Sequence, residues 1–264
     1  MHYCRFQNEK GTRYGWIENV DGVQTITRTV AANPALLADP NATETANLPL
    51  EEVRLLAPVE PSKVVCIGRN YREHAKELNH PIPTEPLIFL KPPSSVIANG
   101  DEIRRPNGLS QRVDYEGELG VVIGKSCYRL RKGEDVRPYV LGYTCVNDVT
   151  ARDLQEKDGQ WTRAKGFDTF CPVGPIVVED LDPWNGVRVQ TRVNGQLRQN
   201  GVTTDFLFPL DVLLHFISQV MTLEPGDLIA TGTPVGVGPL QAGDAVEVTV
   251  DGVGTLKNLV VNLE

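Results

Sequence analysis

Stretches of alternating hydrophobic and polar positions, short apolar runs and few long helical patterns predict a protein built largely of strands. Residues 2–30 alternate in short stretches around a turn signal at Asn19-Val20-Asp21-Gly22. A polar segment containing Ala, Asn and Pro covers 31–49. LEEVRLLAPVEPSK follows, and its Pro58 and Pro61 mark a join between units. The division predicted is a small N-terminal β-rich region, 1–57, and a main region, 58–264.

The main region opens on Lys63-Val64-Val65-Cys66-Ile67-Gly68, an apolar run ended by Gly that reads as a buried strand. RNYREHAKEL (69–78) predicts a short helix, which prolines 81, 83 and 86 stop. Further strands are predicted at LIFLKP (87–92), VDYEGELGVVIG (113–124) and YVLGYTCVND (139–148). IVVEDL, VRVQTRVNGQLRQ and AVEVTVDGVGTLKNLVVN add more, with Asn194-Gly195 and Asp251-Gly252 as hairpin turns. One amphipathic helix is predicted over 209–223, burying Val212, Leu213, Phe216, Ile217 and Val220. The Gly/Pro-rich TGTPVGVGP (231–239) is a predicted loop. Many strands and few helices set the fold class as α+β, β-rich.

Composition narrows the function classes. At 264 residues, 41% hydrophobic and 23% charged, the chain has the make-up of a soluble globular protein. Its net charge of −8 and lack of a basic cluster argue against a nucleic-acid partner. No stretch approaches 18 apolar residues and the start has no apolar signal core, so the expectation is a cytoplasmic protein without a membrane partner. In that setting the sequon Asn41-Ala42-Thr43 is incidental. Cys4, Cys66, Cys127, Cys145 and Cys171 are odd in number and form no C-x-x-C pair, which disfavours disulfides and zinc.

The chemistry concentrates in the acidic strand. Asp114, Glu116 and Glu118 occupy every second position of 113–124 and so share one face of a strand. Like charges that close repel unless a cation sits in front of them. Glu116 and Glu118, with Asp148 from the end of another strand, form a candidate set of hard oxygen ligands for Mg²⁺ or Mn²⁺. Asp114 is left as a supporting or surface group. His74 and Glu77, three apart on the predicted helix, make a candidate base and its orienting carboxylate. Lys165, between Trp161 and Phe167, is a candidate cation for a developing enolate or carboxylate. Arg152 and Gln155 suit a substrate carboxylate, and the 231–239 loop offers backbone N–H groups and the Thr233 hydroxyl to an anion. His2, His80 and His215 read as structural or exposed. Neither a phosphate-binding Gly-Lys-Ser/Thr nor a G-x-S-x-G elbow is present.

The succession IGRNYREHAKE, LIFLKP, DYEGELGVVIG, NDVTARDLQ, WTRAKGFDTFCPVGP, VNGQLRQ and LEPGDLIATGTPVGVGP resembles the fumarylacetoacetate hydrolase family over residues 58–264. The likeness is strongest to its shorter branch of acylpyruvate hydrolases, oxaloacetate decarboxylases and hydroxyhepta-dienedioate isomerases. It implies a rolled mixed sheet or barrel and a homodimer. It also implies Mg²⁺ or Mn²⁺ on Glu116, Glu118 and Asp148, and a water-activating pair at His74 and Glu77. Lys165 then falls on the catalytic lysine, with Arg152, Gln155 and Thr233 near a small 2-oxo acid. Longer members carry a further aspartate ahead of the histidine, whereas Cys66–Arg72 holds no acid. The expected reaction is hydrolytic C–C cleavage of an acylpyruvate, with oxaloacetate decarboxylation or isomerisation of a dienedioate as alternatives. The rival from another class is a non-catalytic protein that seats a structural Ca²⁺.

Overall fold

The structure, a computed structural model, describes residues 2–31, 34, 39, 41–77 and 81–263, which leaves His80 outside the described residues. The first strands are β1 (His2–Asn8), β2 (Gly11–Val20), β3 (Val23–Val30), β4 (Glu44–Pro49) and β5 (Arg54–Leu56). Strand β6 (Val64–Gly68) leads to helix α1 (Arg72–Glu77), then β7 (Leu87–Lys91), β8 (Val96–Ile97) and β9 (Glu102–Arg105). The acidic motif forms β10 (Val113–Tyr115) and β11 (Gly117–Ile123), followed by β12 (Val140–Asn147) and β13 (Thr150–Ala151). Next come helices α2 (Arg152–Asp158) and α3 (Thr162–Lys165), and strands β14 (Cys171–Val178), β15 (Arg188–Val193) and β16 (Gln196–Val202). Helix α4 (Leu210–Val220), then β17 (Leu228–Ala230), β18 (Gly238–Pro239), β19 (Ala245–Val250) and β20 (Gly254–Asn262) complete the chain.

Twelve strands form one mixed sheet in the order β4-β3-β2-β1-β14-β12-β11-β17-β6-β7, with β5 on β1 and β8 on β14. A five-stranded sheet, β16-β15-β19-β20-β9, and a three-stranded one, β13-β10-β18, stand beside it. The sheets stay open among the described residues, so the rolled architecture is not a closed barrel. Strands hold 46% of residues against 17% in helices, which makes the α+β class β-rich. Two hairpins turn where predicted: Asp21 and Gly22 take φ of 52° and 87°, Asn194 and Gly195 51° and 77°. Positive φ at both central positions matches the twist of the flanking strands.

The continuous apolar runs are buried on both faces, as the centre of a sheet requires. Leu119, Val121 and Ile123 of β11 join the cluster of Phe6, Ile26, Leu213 and Ile217, whereas Val122 joins Val64, Val146 and Val177 on the other side. All five cysteines are buried and free. Burial pushes the thiols up, Cys127 to about 11 and Cys4, Cys145 and Cys171 to about 12, and lifts Cys66 well above its ordinary value.

Three predictions need correction. The buried stripe of α4 is Leu210, Leu213, Leu214 and Ile217; Val212 and Val220 are 39% and 60% exposed, and Phe216 is half-buried. Because the helix starts at Leu210, the i, i+3, i+4, i+7 face falls on these four residues. The helix predicted from 69 begins at Arg72 instead, because Arg69 takes a φ of 58° that no right-handed helix admits. The polar 31–49 segment also contains a strand, β4, which pairs with β3. No described helix is long and apolar enough to cross a membrane.

Candidate active site

Strand register assembles the carboxylates. The acidic strand is interrupted: β10 ends at Tyr115, β11 begins at Gly117, and Glu116 stands in the break. Glu116 N–H donates to Asn147 Oδ1 (3.0 Å) and its carbonyl accepts from Asp148 N–H (2.8 Å). Gly117 pairs with Asn147 across β11 and β12, so Asp148 emerges beside Glu116. On the other edge Gly120 pairs with Ala230, which lets the next loop send Gly232 N–H to Glu118 Oε2 at 2.7 Å. Glu116, Glu118 and Asp148 are thus brought together, 5% exposed or less, with ligand oxygens within 4.8 Å of one another.

Buried cations surround them. Lys165 Nζ donates to Glu116 Oε2 (2.7 Å) and Asp148 Oδ2 (2.6 Å), and lies 4.9 Å from the centre of the Phe89 ring. Burial alone would lower the Lys165 pKa; Asp148 and Glu116 outweigh it and raise the value, so the ammonium stays charged. Lys91 takes the other side of Asp148, donating to Oδ1 (2.6 Å) and to the Val149 carbonyl (3.0 Å). Arg152 forks between Asp114 Oδ2 (3.0 Å), Glu116 Oε1 and Gln155 Oε1 (2.6 Å). Asp114 is fully buried and also held bidentately by Arg112, so it anchors Arg152 rather than joining the triad or facing solvent.

The two outer carboxylates of the triad titrate in opposite directions. Burial opposes ionisation of Glu116, but Lys165 and Arg152 overcome it and hold the carboxyl below the usual range. Glu118 goes well above that range, through burial first and then the charges of Asp148 and Glu116.

His74 lines the same cavity, is 4% exposed, and has Nδ1 3.3 Å from Glu77 Oε2. Glu77 accepts in turn from Gly236 N–H at 3.0 and 3.2 Å. The loop's N–H groups at Gly232 and Gly236 are therefore spent on the protein's own carboxylates, not left for an anion. The Thr233 hydroxyl donates to the Gly117 carbonyl (2.9 Å) and accepts from Gln199 Nε2 (2.7 Å). Gln199 also accepts from Gly117 N–H (3.0 Å), which ties the loop to the start of β11. His215 is structural, its Nε2 3.0 Å from the Glu134 carbonyl.

The triad, His74, Lys165, Arg152 and Thr233 line one cavity, whose free space with its open mouth is about 360 Å³. The donor set fits a divalent cation: three converging carboxylates, all oxygen, with Glu118 taking its single described hydrogen bond from Gly232. Glu116, Glu118 and Asp148 would hold such an ion. Lys91, Gln199 and Arg69 were not singled out from sequence, whereas Asp114 has the supporting role, one of its two readings from sequence. Lys91 and Gln199 act through partners distant in the chain, Arg69 holds no carboxylate, and only the run of apolar residues before Lys91 hinted at burial.

Fold and site define a β-rich α+β protein with a candidate divalent-cation centre beside a histidine–glutamate pair. Residues 63–261 match the fumarylacetoacetate (FAA) hydrolase C-terminal family, and residues 1–58 a family described as Rv2993c-like, N-terminal. The chain belongs to the fumarylacetoacetate hydrolase family. It is 54% identical over 206 residues to an uncharacterized protein of Methanocaldococcus jannaschii, covering 78% of this chain and 86% of that one. Oxaloacetate tautomerase YisK of Bacillus subtilis is 46% identical over 222 residues, 79% of this chain and 73% of its own. The crystal structure of a 5-carboxymethyl-2-hydroxymuconate delta-isomerase from Mycobacterium smegmatis superposes with a TM-score of 0.90 at 44% identity, covering 100% of both chains.

Proposed function

We propose that this chain is a divalent-metal-dependent enzyme that moves a proton on the carbon next to the carbonyl of a 2-oxo acid. The reaction interconverts keto and enol forms or shifts a double bond. The observation that carries this reading is a single cavity lined by the Glu116–Glu118–Asp148 cluster, charged Lys165 and His74, with Glu77 behind the imidazole. The relatives named as an oxaloacetate tautomerase and a delta-isomerase support it.

A bound divalent ion supplies the polarisation of the 2-oxo group that acidifies the neighbouring carbon. His74 takes the proton from that carbon and returns it to the product. Glu77 keeps the imidazole oriented and favours the form that accepts a proton. Three carboxylates exceed a divalent charge by one, and Lys165 offsets the remainder while facing the enolate oxygen. Arg152, steadied by Gln155 and Asp114, orients the carboxylate next to the carbonyl.

A second reading is hydrolytic C–C cleavage of an acylpyruvate, in which His74 draws its proton from water. The backbone-anchored Glu77 behind His74 supports it equally, since a fixed dyad serves water as well as a carbon acid. Decarboxylation of oxaloacetate needs no base at all.

A panel of enol-oxaloacetate, acetylpyruvate and keto-oxaloacetate, assayed with Mg²⁺ and Mn²⁺, separates these reactions. His74→Ala is expected to slow tautomerisation about 100-fold or more while metal affinity persists. Tautomerisation at the wild-type rate in that variant removes His74 from the reaction. Acetylpyruvate cleavage that outruns tautomerisation assigns the hydrolase reading instead.

A further inference from the structure

One cation at the site has no carboxylate to hold. Arg69 lines the cavity with the triad, Lys165 and Arg152, yet among the described residues it makes no hydrogen bond or ion pair. Its one described contact is a guanidinium carbon 5.8 Å from the centre of the Trp161 ring. Trp161 is itself fixed: it meets Phe89 edge-on at 5.0 Å. It also lies so close to Gly68 that a Cβ there would sit 2.8 Å from the indole. Every other cation of the network is committed: Lys91 and Lys165 to Asp148, Arg112 and Arg152 to Asp114. Partial burial lowers the Arg69 pKa and no neighbouring carboxylate offsets it, whereas acid partners raise Arg152.

The backbone under Arg69 is forced into this position. A φ of 58° on a non-glycine residue is strained and persists only where the surroundings impose it. Asn70 imposes it. Its Nδ2 donates to the Thr231 (2.8 Å) and Phe208 (3.2 Å) carbonyls, while its Oδ1 accepts from Phe208 N–H (2.9 Å) and its carbonyl from Leu207 N–H (2.7 Å). A strained turn held this firmly delivers an uncommitted guanidinium to the cavity.

We infer that Arg69 is the specificity-determining residue for a second carboxylate, making the substrate a 2-oxo acid with a distal acid group rather than a neutral acyl chain. This rests on the proposed function and names its substrate class. Charge supports it: Lys91, Lys165 and Arg152 are each already paired with a buried carboxylate of the protein, whereas Arg69 is not. The enolate of a 2-oxo dicarboxylate carries three negative charges, and the distal one needs a cation of its own. The enolate of a monocarboxylate carries two. Arg also offers the planar fork that grips a carboxylate bidentately.

The test compares oxaloacetate with its 4-methyl ester, which keeps the chelating end and removes only the distal charge. Wild type is expected to prefer the diacid about tenfold or more in kcat/KM, the scale of one charge-assisted contact. Arg69→Asn, chosen because Asn accepts positive φ, is expected to bring that ratio near unity, and Arg69→Lys to restore part of it. Competition against oxalate on the Mn²⁺-loaded protein, followed by calorimetry, reads the same preference without turnover. A wild type that treats acid and ester alike overturns the inference, as does an acid preference surviving in Arg69→Asn. If oxalate binds and the diacid outcompetes the ester but neither is turned over, the proposed reaction fails while the role of Arg69 stands. If oxalate does not bind, both fall.

Discussion

At the scale of single residues, Glu118 sets the coupling between protons and metal. Its raised pKa means that the folded chain keeps a proton at a pH where an exposed glutamate has lost it. A cation taking the same oxygens must displace that proton. Apparent Mn²⁺ affinity is therefore expected to climb about tenfold per pH unit until the raised value is passed, then level off. Calorimetry in two buffers of different ionisation heat counts the released proton, and Glu118→Gln removes the slope. A flat profile in wild type would sink the idea. The acidic partners themselves were legible in the sequence because alternation and a strand end locate Glu116, Glu118 and Asp148 directly. Their cations were legible only in part. Lys91 sits 57 positions from Asp148, and Arg69 draws its meaning from lacking a partner, a property no linear pattern encodes.

At the scale of elements, the site depends on a loop and a six-residue helix that hold each other. The 231–239 loop follows β17, touches Glu118 through Gly232, and reaches Glu77 of α1 through Gly236. Gly236 takes a φ of 107°, and a Cβ there would lie 2.1 Å from the Arg198 carbonyl oxygen. Gly236→Ala must shift the loop and withdraw the N–H from Glu77. The expected outcome is a kcat lowered about tenfold or more with metal affinity nearly unchanged, because Gly232 holds Glu118 from the other end. Steady-state kinetics beside Mn²⁺ titration checks this, and an unaltered kcat means the tether does not position His74. Sequence marked the loop by its Gly/Pro content and the helix by its 3.6-residue period. It could not show that their polar groups satisfy each other, since loop and helix lie some 160 positions apart and meet only once β6 and β17 pair in parallel.

At the scale of the whole molecule, residues 1–57 continue the sheet that carries the site. β1 pairs with β14 through His2–Val178 and Tyr3–Val177, and Phe6, Ile17 and Ile26 share a cluster with Leu119 and Leu213. Removing 1–57 would bare one edge of β14 and the apolar residues beneath it. The truncated chain is expected to aggregate or to bind a hydrophobic dye and unfold without cooperativity. A soluble product with a sharp thermal transition would show that 58–264 folds alone. The same burial that knits the sheet also governs its five thiols. With every thiol raised far from neutrality and sealed from solvent, the folded chain presents peroxide and electrophiles with no nucleophile of this kind. Oxidative stress can reach these thiols only after the sheet itself has come apart.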